Sequence, residues 1–252
     1  MEERKRPIVI LGPMESESAY LIEKLSDPTE HPIGAYRFVS GLVDDHPVIV
    51  GRTYIGMVNA ATATALAIEH FHPSLILIQG TSGAHHPDLH QGDIVLGENL
   101  VHLGRYFTSH RDSGEGSDHT RWTFPGTEIV SGGQLKEIAV LHSHPDVIDL
   151  AASIPYPHGK VIRGTIGAAD IWNRELDMID LLREKLGSDC EEMEGFAVAQ
   201  VCAQLGVRCA DIRVISNSER YPGEDFDESY GRYCQEFCLE VVRKLIATDL
   251  HR

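Results

Sequence analysis

Short runs of branched apolar residues alternate along this chain with longer stretches of helical periodicity, the pattern of an α/β layered domain. Residues 7–11 predict a first strand, and after the Gly12-Pro13 turn residues 15–25 predict a helix. A strand at 47–53 leads through Gly56 into an alanine-rich helix from about 59 to 70. Residues 75–79 carry apolar side chains on both faces, as a central strand buried from either side requires. Further strands are predicted at 93–96, 161–166 and 209–215, and helices at 175–186, 193–205 and 228–247. Gly187 and Gly206 lie just beyond two of these helices, where a left-handed cap favours glycine.

Between elements there are only short turn clusters and one polar, glycine-containing stretch at 109–120 that reads as a surface loop, so residues 1–252 are expected to form a single domain. The formal net charge of −16 repels nucleic acid and anionic membrane surfaces, and Lys and Arg cluster only in the first six residues. That basic start runs into an apolar segment too short for a signal-peptide core or a membrane span, which makes a cytoplasmic protein the expectation. Five cysteines without a CxxC spacing fit reduced thiols, with Cys234 and Cys238 on one face of a helix as core. His85, His86, His90, His142 and His144 lack the spacing of a common zinc motif and read as loop and surface residues; no metal and no cofactor is expected.

Candidate chemistry enters with three segments. Glu191-Glu192-Met193-Glu194-Gly195 sets carboxylates before an apolar helix, which by itself is an ordinary helix start. Gly12-Pro13-Met14-Glu15-Ser16-Glu17 brings acids to a strand-to-helix turn, and Val214-Ile215-Ser216-Asn217 closes a strand. In open α/β sheets the ligand crevice lies outside the carboxyl ends of strands, and residues 12–17, 80–84 and 216–217 all occupy such exits.

Taken in this order, the segments resemble the nucleoside phosphorylase/nucleosidase superfamily, most closely the methylthioadenosine/S-adenosylhomocysteine nucleosidases. The resemblance implies a three-layer α/β sandwich with a twisted mixed central sheet flanked by helices, a purine nucleoside substrate, hydrolysis of its N-ribosidic bond, and a homodimer. It places Glu17 at the position of the water-activating glutamate and Glu194 at that of the glutamate holding the ribose hydroxyls, beside the Met193 backbone and a neighbouring acid, Glu192. Gly80-Thr81-Ser82-Gly83 resembles a glycine-rich turn passing close to sugar and nucleophile, which brings in Thr81, Ser82 and Gly83. Ile55 matches an apolar segment near the nucleoside, and Trp172 an aromatic position that packs on the purine.

Asn217 departs from the pattern, because the adenine-specific members carry a proton-donating aspartate there. An amide can hydrogen-bond the purine but cannot transfer a proton, and losing general-acid help costs about two to four orders of magnitude in rate. Three accounts stand: preference for a 6-oxopurine, a weakened or binding-only member, or an introduced substitution. Phosphorylases of the superfamily hold phosphate with arginines, whereas here those places carry the acidic segment ending in Glu17 and Gly92, so water is the expected nucleophile.

Overall fold

The computed structural model describes residues 5–250; Met1 to Arg4, most of the basic N-terminal run, lie outside it, as do the last two positions of the expected domain. Chain order is β1 (Ile8–Gly12), a 3-10 turn (Glu15–Glu17), α1 (Ala19–Glu23), β2 (Ser26–Ile33), β3 (Tyr36–Val43), β4 (His46–Arg52) and α2 (Met57–Phe71). Then come β5 (Leu75–Ala84), β6 (Ile94–His102), β7 (Thr127–Ser131), β8 (Gln134–Ile138), β9 (Val140–His142) and α3 (Pro145–Ala152). β10 (Val161–Ala168), α4 (Leu176–Leu186), β11 (Cys190–Glu192), α5 (Gly195–Leu205), β12 (Arg208–Asn217) and α6 (Gly231–Thr248) follow.

The main sheet is mixed. β4, β1, β5 and β12 run parallel, β12 meets β6 antiparallel, and β10 lies parallel to β6. Short β11 joins β10 on one side and β5 on the other, closing that half of the sheet on itself, while β3 and β2 extend the far edge. Strand alternation divides the core into two layers. Ile8, Ile10, Leu75 and Leu77 pack with Leu21, Val147 and Phe237 of α1, α3 and α6. Val9, Leu11, Ile76 and Ile78 face Ala60, Ala63, Phe196 and Val198 of α2 and α5. Small alanines let α2 approach closely, and the central strands are buried on both faces, which is why they carry continuous apolar runs.

The expected helix at 15–25 is broken: Ser18 has φ −129°, and α1 starts only where Gln235 Oε1 accepts the Tyr20 amide. Residues 80–83 do not form a turn. They continue β5, because β12 and β11 pair with that stretch from both sides. Likewise Glu191 and Glu192 belong to β11, and α5 begins at Gly195. Gly187 and Gly206 do adopt the left-handed cap, at φ +71° and +70°. Cys234 and Cys238 are buried core thiols. His85, expected in a surface loop, is buried.

Candidate active site

The exits of β1, β5 and β12, together with β11 and the turn into α5, converge on one cavity of about 240 Å³. All ten residues singled out from the sequence line it: Glu17, Ile55, Thr81, Ser82, Gly83, Trp172, Glu192, Met193, Glu194 and Asn217.

Glu17 projects from the 3-10 turn and is buried. Its Oε1 accepts the Thr81 amide at 2.7 Å and the Thr81 hydroxyl at 2.8 Å, and its Oε2 accepts the Met14 amide at 2.9 Å. Burial raises its carboxyl above the ordinary carboxylate value, against the opposing pull of these donors and of Arg213. Three donors therefore fix a carboxylate whose proton affinity has been increased, the property a general base needs.

Arg213 is the group that sequence reasoning missed. It is wholly buried at the centre of the acids: Nε donates to Asp211 Oδ1 at 2.8 Å, Nη2 lies 2.6 Å from Glu192 Oε2, and Nη1 lies 3.3 Å from Glu194 Oε2. Against the cost of burial, Asp211, Glu192 and Glu194 hold the guanidinium protonated. A charged residue inside the apolar run Ile212-Arg213-Val214-Ile215 was the available signal, since such a residue is buried only when paired.

Glu192 has a second task. It accepts the Glu194 and Gly195 amides at 2.7 to 2.9 Å, capping the free N–H groups at the start of α5. Glu194 is buried, and its Oε1 accepts the Gly56 amide at 2.9 Å. Burial pushes its carboxyl up to about 8, opposed by Arg213 and reinforced by the Glu192 charge. Gly56 has φ +106°, a conformation open to glycine, so its amide can turn toward Glu194 as α2 begins. The neighbouring Met57 amide donates to Asp170 Oδ1 at 2.8 Å.

Trp172 is half exposed at the mouth, edge-on to Phe226 with ring centroids 5.8 Å apart, and Ile55 and Ile171 complete this apolar rim. Asn217, buried in the same lining, terminates β12, and its Oδ1 accepts the Ser216 hydroxyl at 3.0 Å. The lining thus holds four glutamates, Glu17, Glu191, Glu192 and Glu194, and one basic residue, Arg213, whose nitrogens already face acids.

Fold and site together define a known class: the phosphorylase superfamily model matches residues 7–247, and the chain belongs to that superfamily. A 5'-methylthioadenosine/S-adenosylhomocysteine nucleosidase of Shewanella halifaxensis is 32% identical over 241 residues, covering 94% of this chain and 98% of the relative. That of Anoxybacillus flavithermus is 28% identical over 246 residues, covering 95% and 97%. Within the superfamily, the chain belongs with the 5'-methylthioadenosine/S-adenosylhomocysteine nucleosidases. Among solved structures, an aspartate-to-asparagine mutant of the Helicobacter pylori nucleosidase, with 5'-methylthioadenosine in its active site, superposes with a TM-score of 0.79 at 25% identity, covering 95% of this chain and 99% of that one.

Proposed function

We propose that the protein hydrolyses the N-ribosidic bond of purine nucleosides of the methylthioadenosine and S-adenosylhomocysteine type, with water as nucleophile. The observation that carries this reading is the acid excess of the cavity, where the one arginine is already engaged by Asp211, Glu192 and Glu194. A phosphate dianion entering there would meet carboxylates without a free guanidinium, whereas a sugar acquiring positive charge is stabilised by the same groups.

Glu194 accepts the ribose hydroxyls, and Glu17 orients a water and takes its proton as the water adds to the anomeric carbon. As the bond breaks, its electron pair passes to the purine, which leaves as an anion hydrogen-bonded at its seven-position nitrogen by Asn217 and then takes a proton from solvent, while Glu17 releases the proton it took from the attacking water. Because that amide keeps its protons, turnover of an adenine nucleoside is slower than it would be with a carboxylic acid in its place. Trp172, Phe226, Ile55 and Ile171 suit an apolar 5'-substituent and the flat base.

The whole chain acts as one domain and as a cytoplasmic homodimer in this reading. Ile55 in the cavity lining, and Val58 and Phe107 elsewhere on the surface, are each more than half exposed, which supports a partner covering them. No helix among the described residues is long and apolar enough to cross a membrane. Incubation with methylthioadenosine, adenosine and inosine, with and without phosphate, tests the activity. Free base should appear without phosphate and be lost in Glu17→Gln; release by the variant at the original rate would overturn the assignment.

A further inference from the structure

One buried acid of the cavity has no part in that chemistry. Glu191 Oε1 accepts the Asn173 amide at 2.7 Å, its Oε2 accepts Asn173 Nδ2, and His85 Nε2 lies 3.1 Å from Oε2. His85 is itself buried and fixed from behind, with Nδ1 2.7 Å from the Ser188 hydroxyl. Glu191 also sits in β11, which is paired with β10 on one side and β5 on the other. The carboxylate thus stands on a rigid base, and what it grips is the segment between β10 and α4.

That segment borders the mouth. Residues 169–175 form neither helix nor strand, and they carry Ile171 and Trp172, both exposed at the rim, directly before Asn173. The Ala169 amide on Glu192 O and the Met57 amide on Asp170 Oδ1 hold its beginning, and Glu191 holds it just beyond Trp172. Facing it is the loop after β12, where Phe226 meets the Trp172 ring edge-on and Glu219 Oε2 lies 3.2 Å from Arg174 Nε. His85 reaches this second wall as well, since its carbonyl accepts Arg220 Nε at 3.2 Å. One buried histidine therefore anchors both walls: its backbone holds the loop after β12, and its ring backs the carboxylate that holds the Trp172 segment.

We propose that Glu191 is a positioning residue of the hydrolase: by gripping Asn173 it fixes Trp172 against Phe226, so that the apolar rim is already in place when a nucleoside binds. The inference rests on the nucleosidase reading and adds a residue to it. A carboxylate accepting both the backbone and the side-chain amide of one residue fixes that residue's orientation as well as its position. Trp172 is the next residue back, so the direction of its ring follows from that grip. A segment without the tether has to be ordered each time substrate binds, and that entropy cost weakens binding without touching bond cleavage. Loss of the grip therefore appears in KM, whereas loss of a group acting on the reacting atoms appears in kcat.

The test measures kcat and KM for 5'-methylthioadenosine in the wild type, Asn173→Ala, Glu191→Asp, Glu191→Gln and Glu17→Gln, with folding checked by circular dichroism. Aspartate keeps the charge but is one carbon too short for the grip, whereas glutamine loses the charge and keeps an acceptor for the Asn173 amide. Glu191→Asp and Asn173→Ala should each raise KM by about three- to tenfold with kcat within about twofold, and Glu191→Gln should be milder than Glu191→Asp. The Glu191→Asp/Asn173→Ala double variant should lose less than the two single losses combined. A fall in kcat at unchanged KM, independent losses in the double variant, or Glu191→Gln harsher than Glu191→Asp overturns the inference. Should Glu191→Asp fail to fold, Asn173→Ala, at a half-buried loop position, carries the KM comparison. Trp172 gives a second readout, since Trp122→Phe leaves it the one tryptophan in the chain. In that background its quenching by acrylamide should rise by about twofold in Asn173→Ala and Glu191→Asp, as a loosened segment requires, and unchanged quenching overturns the inference. If the wild type cleaves no nucleoside, or Glu17→Gln cleaves as well as the wild type, it is the hydrolase reading that has failed, and the quenching result alone then decides whether Glu191 holds the rim.

Discussion

A Cβ on Gly195 would fall 1.9 Å from Asp211 Oδ2, so the first residue of α5 has room for hydrogen only. Asp211 in turn holds Arg213 Nε, and Arg213 reaches Glu192 and Glu194. Gly195→Ala must push Asp211 aside and disturb that set of charges. We expect it to lower stability by about 1–3 kcal/mol, the usual cost of overpacking, measured by denaturant unfolding. In the Gly195→Ala/Asp211→Ala pair the loss should be smaller than the sum of the single losses, because the clash is gone. Strictly additive losses would show that the two residues do not compete for this space.

Glu194→Gln should weaken nucleoside binding far more than binding of the free base, because its proposed partners are sugar hydroxyls. Above about pH 8, where the Glu194 carboxyl is ionised, losing a charge-assisted hydrogen bond costs about 1.5–3 kcal/mol, or roughly ten- to a hundredfold in Kd. Calorimetry with a nucleoside analogue and with free base reads both, and equal losses would place Glu194 away from the sugar.

Glu17 has to be ionised to take a proton from water, and burial raises its carboxyl above the ordinary 4.5. The active form is the deprotonated one, so activity present at neutral pH is lost as pH falls, and the acid limb of kcat/KM should lie above 4.5. Thr81→Val removes the hydroxyl that stabilises the ionised carboxylate and should move this limb up by about one pH unit. A limb at the ordinary carboxylate value, or one that Thr81→Val leaves in place, would contradict the role of Glu17.

Asn217→Asp should move two substrates in opposite directions. A carboxylic acid at the end of β12 restores a proton donor, so turnover of methylthioadenosine should rise by about a hundredfold. The same change removes the Nδ2 donor on which a 6-oxopurine depends, and turnover of methylthioinosine should fall. Unchanged turnover of both, in a folded variant, would remove Asn217 from the base end of the site.

Much of this was legible in the chain itself, for identifiable reasons. β1, β4 and the first half of β5 were readable because burial on both faces leaves continuous branched apolar runs. β2, with the sequence Ser-Asp-Pro-Thr-Glu-His-Pro-Ile, was not, since an exposed edge strand with two prolines lacks apolar alternation. Glu17, Glu194 and Asn217 were found because each lies in a short contiguous segment. Arg213 and the His85–Glu191 contact escaped because their meaning depends on partners from separate elements. The extension of β5 through Gly83 escaped for the same reason: its glycines read locally as a turn, and only pairing with β11 and β12 makes them a strand.

The identity of the sugar product in excess phosphate tests the central claim most directly. With methylthioadenosine or methylthioinosine as substrate, mass spectrometry should find free methylthioribose at every phosphate concentration, and the rate of base release should not depend on phosphate. Accumulation of the ribose-1-phosphate derivative, with base release only when phosphate is present, would contradict a cavity in which Glu17 activates water and Arg213 is already engaged by acids.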